Sequence, residues 1–302
     1  MSTSAENFHP ELREIAGNLG PGINFTTDSL ASIRKGIAEH GSSDASDVTV
    51  VSFGDGAGVR VHCPPGLLTP AAAMLWIHGG CYVIGSAAQD YTLCRRFART
   101  LGIVVASAEY RLAPEHPYPA ALDDCMAALN WLAGQPDVDA SRIAIGGASA
   151  GGGLTAALAL RTRDQGKTKP VMQLLTYPML DDRPAYKPDP HPERRRLMDQ
   201  GMNRFSWDSY LHGVGPQNAV PARAASLAGL APAWIGVGTM DLLLDENREY
   251  ADRLHRDGVQ CDLEIVSGAF HAFDLVAPEA EVSRRFFDSQ CAALRGALNS
   301  SR

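Results

Sequence analysis

The chain has 302 residues, 45% hydrophobic and 20% charged, with a formal net charge of −7 at pH 7. That is the composition of an ordinary globular protein, and the length suits one large α/β domain with an insertion or two ordinary domains. The negative balance argues against nucleic acid as a partner. The densest basic cluster, Arg194-Arg195-Arg196, stands in a polar segment and is expected to be a solvated face.

Met1 to Pro10 carries an acid at Glu6 and neither a basic leader nor an apolar run, so no signal peptide is expected. Residues 1–45 then hold two helical patterns. Val48–Ser52 and Gly58–Cys63 read as strands joined through Gly54-Asp55-Gly56, a hairpin signal. Ala73–Ile77 is an apolar run ending in His78-Gly79-Gly80. Tyr91–Leu101 has helical spacing, with Leu93, Phe97, Ala98 and Leu101 on one face. Ile103–Ser107 is a buried strand, and Pro119–Ala133 a helix with proline at its start and Gly134 past its end. Arg142–Gly146 (strand), Ser149–Arg163 (helix) and Val171–Tyr177 (strand) follow. After a long polar, Pro- and Arg-rich excursion, 181–227, come a strand at Ala233–Gly238, a helix at Asp245–Asp257, a strand at Cys261–Val266 and a helix around Ala280–Leu298.

Continuous apolar strands alternating with helices predict a mostly parallel sheet of about eight strands, covered on both faces, with an antiparallel start. Residues 46–180 and 228–302 form the expected core. Residues 1–45 and the 181–227 excursion are expected to form a helical cap over the C-terminal edge of the sheet, where open α/β folds bind ligands. Two long stretches lack charge, 61–89 and 143–160. Prolines and glycines break the first and five glycines interrupt the second, so no membrane insertion is expected. The cysteines at 63, 81, 94, 125, 261 and 291 show no CxxC pairing. They are expected to be reduced thiols of a cytoplasmic protein, with no disulfide framework and no metal site.

Gly147-Ala148-Ser149-Ala150-Gly151 matches G-x-S-x-G between a strand and a helix, the setting of a nucleophile elbow. A tight, strained turn needs small residues on both sides of the serine, and these supply them. A Gly-rich turn with a buried serine and a phosphate loop are the competing readings. A serine hydroxyl needs a base and an orienting carboxylate. Among the downstream histidines, 191 and 212 lie in the excursion and His255 within a helix, whereas His271 follows a strand in a loop. By the same logic Asp241 follows the strand Ala233–Gly238. Asp245 competes with it, but also suits a helix N-cap. His78-Gly79-Gly80-Cys81 stands where a second oxyanion donor is needed, with His78 expected to hold the loop.

Taken together these segments resemble the hormone-sensitive-lipase-like carboxylesterases, especially bacterial ones. The family's HGGG is present as His78-Gly79-Gly80-Cys81 and its GDSAGG as residues 147–152. Its YRLAPEHPFPAALED is present as residues 110–124, its DPLxDE as residues 241–246, and its HGF as His271-Ala272-Phe273. The resemblance implies the α/β-hydrolase fold, a triad of Ser149, Asp241 and His271, and oxyanion donors at the N–H groups of Gly80, Cys81 and Ala150. Four positions depart from the pattern: Cys81, Ala148, Leu242 and Ala272. The implied activity is hydrolysis of short- to medium-chain esters through an acyl-enzyme, with no cofactor. Lactones, aryl esters or small amides would need only a different pocket, and a non-catalytic ligand receptor on the same fold is the distant alternative. Met202, Phe205, Trp207 and Tyr210 of the excursion are candidate pocket residues. The partner expected is a small-molecule ester; a homodimer is compatible with the sequence, which does not determine oligomeric state.

Overall fold

The Gly54-Asp55-Gly56 signal is realised as a hairpin of β1 (Val48–Gly54) and β2 (Ala57–His62), with all three turn residues at positive φ. The computed structural model describes residues 7–20, 22–40 and 47–300, so the expected boundary at 45/46 lies outside the described residues. The strands β3 (Ala71–Ile77), β4 (Val104–Glu109), β5 (Val138–Ala148), β6 (Gln173–Thr176), β7 (Ala233–Gly238) and β8 (Cys261–Val266) complete one eight-stranded sheet. Its order is β1-β2-β4-β3-β5-β6-β7-β8. The β1–β2 and β2–β4 pairs are antiparallel and the rest parallel.

The helices are α1 (Arg13–Asn18), α2 (Thr27–His40), α3 (Tyr91–Leu101), α4 (Ala120–Ala133), α5 (Ala150–Gln165), α6 (Gln200–Leu211), α7 (Leu244–Arg256), α8 (Phe273–Val276) and α9 (Glu281–Ser300). Every residue of β3 is buried, and its side chains split by the two-residue period of a strand. Ala73, Leu75 and Ile77 join Leu129 of α4, Leu154 of α5 and Leu254 of α7 on one face. Ala72, Met74 and Trp76 join Phe97 of α3 and Phe286 of α9 on the other. This is why the parallel strands read as continuous apolar runs.

Except for β7 and β8, the strand limits differ from the sequence reading by one to four residues, and two of the shifts have a plain cause. β5 starts earlier, because Val138 pairs with Ala71 despite the polar residues that follow it. β6 stops at Thr176, because Tyr177 turns to φ +36°.

The N-terminal segment divides between two layers. Phe8, Leu12 and Ala16 are buried in the core beneath the sheet's α3–α9 face. Phe25 and Leu30 instead pack with Cys81, Val83, Ile84 and Met202. The excursion meets them there: Phe205 of α6 lies 5.8 Å from Phe25. Arg34 of α2 donates to the carbonyls of Val83 and Ala113 and pairs with Glu115. The arginine cluster is not the solvated face expected of it. Arg195 forms a part-buried pair with Asp189 and donates to the carbonyls of Met240 and Asp241. Arg196 bonds the Ala16 carbonyl and lies over the Phe8 ring. The polar sequence around these arginines concealed acceptors that are remote in the chain. Among the described residues no helix is long and apolar enough to cross a membrane.

Where α5 leaves β5 it passes so close to β3 that a Cβ on Gly151 would lie 2.1 Å from the Ile77 carbonyl oxygen. Backbone atoms on both sides cannot yield. Gly151→Ala is expected to destabilise the fold by about 3 kcal/mol, an upper-range overpacking cost, read as a lowered urea midpoint.

Candidate active site

Ser149 caps α5 at φ 56° and ψ −120°, a left-handed φ that L-residues avoid. Three backbone bonds enforce it. The Ser149 N–H donates to Thr176 O at 2.9 Å, and its carbonyl accepts from Gly153 and Met179 N–H, both at 3.0 Å. Small flanking residues are obligatory, since a Cβ on Gly147 would sit 2.4 Å from the Gly151 carbonyl oxygen. The strain costs on the order of 1–3 kcal/mol and lifts the side chain above the strand end.

His271 lies in the loop after β8, beside the end of β7. Its Nδ1–H donates to Asp241 Oδ2 at 2.9 Å, and its Nε2 lies 2.9 Å from Ser149 Oγ. A carboxylate only accepts, which puts the ring proton on Nδ1 and leaves Nε2 to accept from the hydroxyl. The Asp241 side chain is fully buried, and its Oδ1 accepts from the Leu243 N–H at 2.9 Å. Asp245 is 97% exposed at its side chain and makes only a 3.9 Å contact with Arg248. It does not cap α7 either: Leu243 holds that position, and Asp245 lies in the first turn. The acid and histidine loops are tied by Met240 N–H to Ala269 O, and Gly268 O accepts from the His9 N–H.

Gly79 approaches the serine closely enough that a Cβ on it would be 3.4 Å from Ser149 Cβ. Gly80 has φ +128° and Cys81 φ +56°, and Gly80 O accepts from both Val83 and Ile84 N–H. Ala150 is the first residue of α5, so its N–H has no intrahelical acceptor. His78 is fully buried, stacked 4.2 Å from Tyr110, and its Nδ1 lies 2.8 Å from Gly79 O. Burial pushes its pKa down, so it stays neutral and braces the loop. The Cys81 thiol is buried beside Ser206, and burial pushes it up to about 11.

A cleft of about 170 Å³ opens on Ser149 and His271. Gly80, Cys81, Trp76, Tyr177 and Leu275 contribute to its walls. Of the four pocket residues expected in the excursion, only Met202 lines it. Phe205 packs on Phe25, while Tyr210 stacks 4.1 Å from Tyr82 and Trp207 lies 5.3 Å from that ring. The reason is helical phase: Trp207 and Tyr210 share the face of α6 that buries against the core. Sequence reasoning missed three acids near the site. Asp90 lines the cleft, bonded to Trp76 Nε1 at 2.7 Å, and burial pushes it up to about 6. Asp274 bonds the Tyr177 hydroxyl. Glu246 accepts from Leu180 N–H at the start of the excursion, and burial raises its pKa well above the carboxylate range. The only sequence signal for them was an acid within an otherwise apolar or motif-bearing segment. Among the described residues no three His, Cys, Asp or Glu side chains gather in a way that could hold a metal ion.

A mostly parallel sheet with a serine on a sharp strand-to-helix turn defines a class, the α/β hydrolases. The profile of the α/β-hydrolase fold matches residues 74–275. The esterase LipI of Mycobacterium tuberculosis is 37% identical over 226 residues, 72% of this chain and 70% of that protein. The carboxylesterase NlhH of the same species is 36% identical over 235 residues, 74% of this chain and 73% of that one. Among solved structures, the esterase LipW of Mycobacterium marinum is 34% identical with a TM-score of 0.85, covering 98% of this chain and 97% of that one. A bacterial heroin esterase is 33% identical with a TM-score of 0.87, covering 98% and 99%. The chain belongs to the α/β-hydrolase family, in its hormone-sensitive-lipase-like esterase branch.

Ala272, where the family pattern has glycine, adopts φ 58° and ψ 27° directly after the histidine. A left-handed L-residue costs roughly 1–2 kcal/mol, and glycine gives back about half of that through unfolded-state entropy. Ala272→Gly is therefore expected to stabilise the protein by about 0.5–1 kcal/mol in urea unfolding.

Proposed function

We propose that this protein hydrolyses small carboxylic esters through an acyl-enzyme, with Ser149 as nucleophile, His271 as general base and then acid, and Asp241 as its orienting carboxylate. The observation that carries this is the unbroken pair of 2.9 Å contacts from Asp241 through His271 to Ser149. As Ser149 Oγ attacks the ester carbonyl, its proton passes to His271 Nε2, and Asp241 stabilises the imidazolium that forms. The carbonyl oxygen, now negative, is met by the N–H groups of Gly80, Cys81 and Ala150. His271 then protonates the departing alcohol. Water, deprotonated by the same imidazole, releases the acid and restores the serine.

Relatives named as esterases and carboxylesterases support this class of reaction. The thiol of Cys81, held protonated by burial, makes a poor rival nucleophile. The cleft volume of about 170 Å³ lies below the roughly 300–1,000 Å³ of drug-sized pockets, which favours the short end of a short- to medium-chain range. Residues 22–40 and 181–227 act as a cap at the mouth, contributing Ile23 and Met202 to its wall. Six free cysteines, five of them buried, suit a reducing compartment such as the cytoplasm.

Ser149→Ala is expected to leave the fold intact and lower kcat on p-nitrophenyl acetate by ~10⁴ to 10⁶. A serine-directed phosphonate should label the wild-type chain at Ser149, and labelling that persists in Ser149→Ala would overturn the assignment. Asp241→Asn should cost ~10⁴ in kcat by favouring the wrong tautomer. Asp245→Asn should leave activity unchanged and stability within about 0.5 kcal/mol. Because only neutral imidazole can accept the serine proton, kcat/KM should fall toward acid pH. A profile flat from pH 5 to 8 would remove His271 from the role of base.

A further inference from the structure

The imidazole of His271 is held by two contacts in its own plane, at Nδ1 and Nε2. These fix the ring along the line from Asp241 to Ser149 but leave it free to rock about that line. Tyr177 is the ring packed against it: the two meet edge to face, with centroids 4.8 Å apart at 61°. Tyr177 is itself held at three points. Its N–H donates to Gly236 O at 2.7 Å, its ring lies parallel to Phe286, and its hydroxyl donates to Asp274 Oδ1 at 2.9 Å. Asp274 is three residues beyond His271, in the first turn of α8. The Tyr177–Asp274 bond therefore closes the histidine loop back onto the end of β6.

We propose that Asp274 is a positioning residue for His271, acting through the Tyr177 ring and through its own negative charge beside the imidazole. This rests on the reading of His271 as the general base. The groups facing Asp274 leave it without a strong counter-charge. Tyr177 approaches from the end of β6, His271 from the same loop and Asp90 from the segment before α3, while Asp241 stands beyond Tyr177. Arg96 of α3 lines the same cavity, but its guanidinium lies 3.7 Å over the Phe287 ring. Burial pushes the Asp274 carboxyl up to about 6. At pH 7 to 8 it is a carboxylate that accepts strongly from Tyr177 and favours the imidazolium formed in the transition state. Below about 6 it takes a proton, and both effects are lost.

The test compares Asp274→Asn, Tyr177→Phe and the double variant on one short ester across pH 5 to 9, with thermal unfolding as a control for the fold. Asp274→Asn should lower kcat about tenfold with KM within twofold, and move the acid limb of kcat/KM to lower pH, because the imidazolium has lost a nearby charge. Tyr177→Phe should lower kcat comparably but move the acid limb less than Asp274→Asn does, since Asp274 loses the bond that helps keep it ionised yet still carries its charge above its raised pKa. The double variant should be no worse than the weaker single, because the two act as one unit. Additive losses, or a wild-type kcat and acid limb in Asp274→Asn, would overturn the proposal. Should Asp274→Asn not fold, Tyr177→Phe with unchanged kcat overturns it alone. If Ser149→Ala retains ester hydrolysis, the triad reading has failed; if Ser149→Ala is inactive and Asp274→Asn resembles wild type, only the positioning role has failed.

Discussion

The strained backbone at Ser149 is the constraint around which the site is built. A left-handed φ on a non-glycine residue persists only where its surroundings over-determine it, and here they do so with main-chain bonds from three directions. Thr176 at the end of β6 takes the serine N–H, while Gly153 of α5 and Met179 beyond β6 give to its carbonyl. The turn is thus welded to the neighbouring strand as well as to its own helix. The same closeness explains the glycine run. Gly147, Gly151, Gly152 and Gly153 each lack the space for a Cβ, mostly against backbone that has no room to move.

The other site loops are tied to this point and to one another by links that cross large sequence distances. Met240 N–H to Ala269 O joins the acid loop to the histidine loop, and His9 N–H to Gly268 O brings the N-terminal segment against the latter. Arg195, paired with Asp189, holds the acid loop by two of its carbonyls. On the opposite side, Arg34 grips Val83 and Ala113, one after the loop of residues 78–81 and one in the segment that resembles the family's YRLAPEHP stretch. Tyr82 N-terminal to those contacts accepts from Ala113 N–H and stacks on Tyr210. Each loop of the candidate site is therefore bonded to an element outside its own strand and helix, which limits the freedom of side chains whose alignment the proposed reaction needs.

Much of the architecture was legible because it depends on periodicity and turn chemistry. β7 and β8 were bounded in the sequence where they occur, since β7 is an apolar run and β8 alternates apolar with acidic residues, each flanked by turn residues. The sharp turns at Gly54 to Gly56 and around Ser149 were legible because only small residues tolerate them. Ser149, Asp241 and His271 could be picked out from their places after strands, and the sheet order brings those strand ends together. The strand limits that moved did so where long-range pairing, as at Val138, or a single left-handed residue, as at Tyr177, overrode local composition.

Sequence by itself determined the class of fold and singled out the candidate reacting residues, because strand period, elbow glycines and chain order are local properties. The tertiary structure decided what those properties cannot encode. It assigned Trp207 and Tyr210 to packing and Met202 to the cleft, because helical phase relative to a core is set by what the helix meets. It turned a polar arginine cluster into a fastener, because the carbonyls it binds lie some 45 to 180 residues away in the chain. And it set Tyr177 beside His271 and within hydrogen-bond reach of Asp274, because the end of β6 and the loop after β8 become neighbours only once β6 and β8 lie on either side of β7 in one sheet.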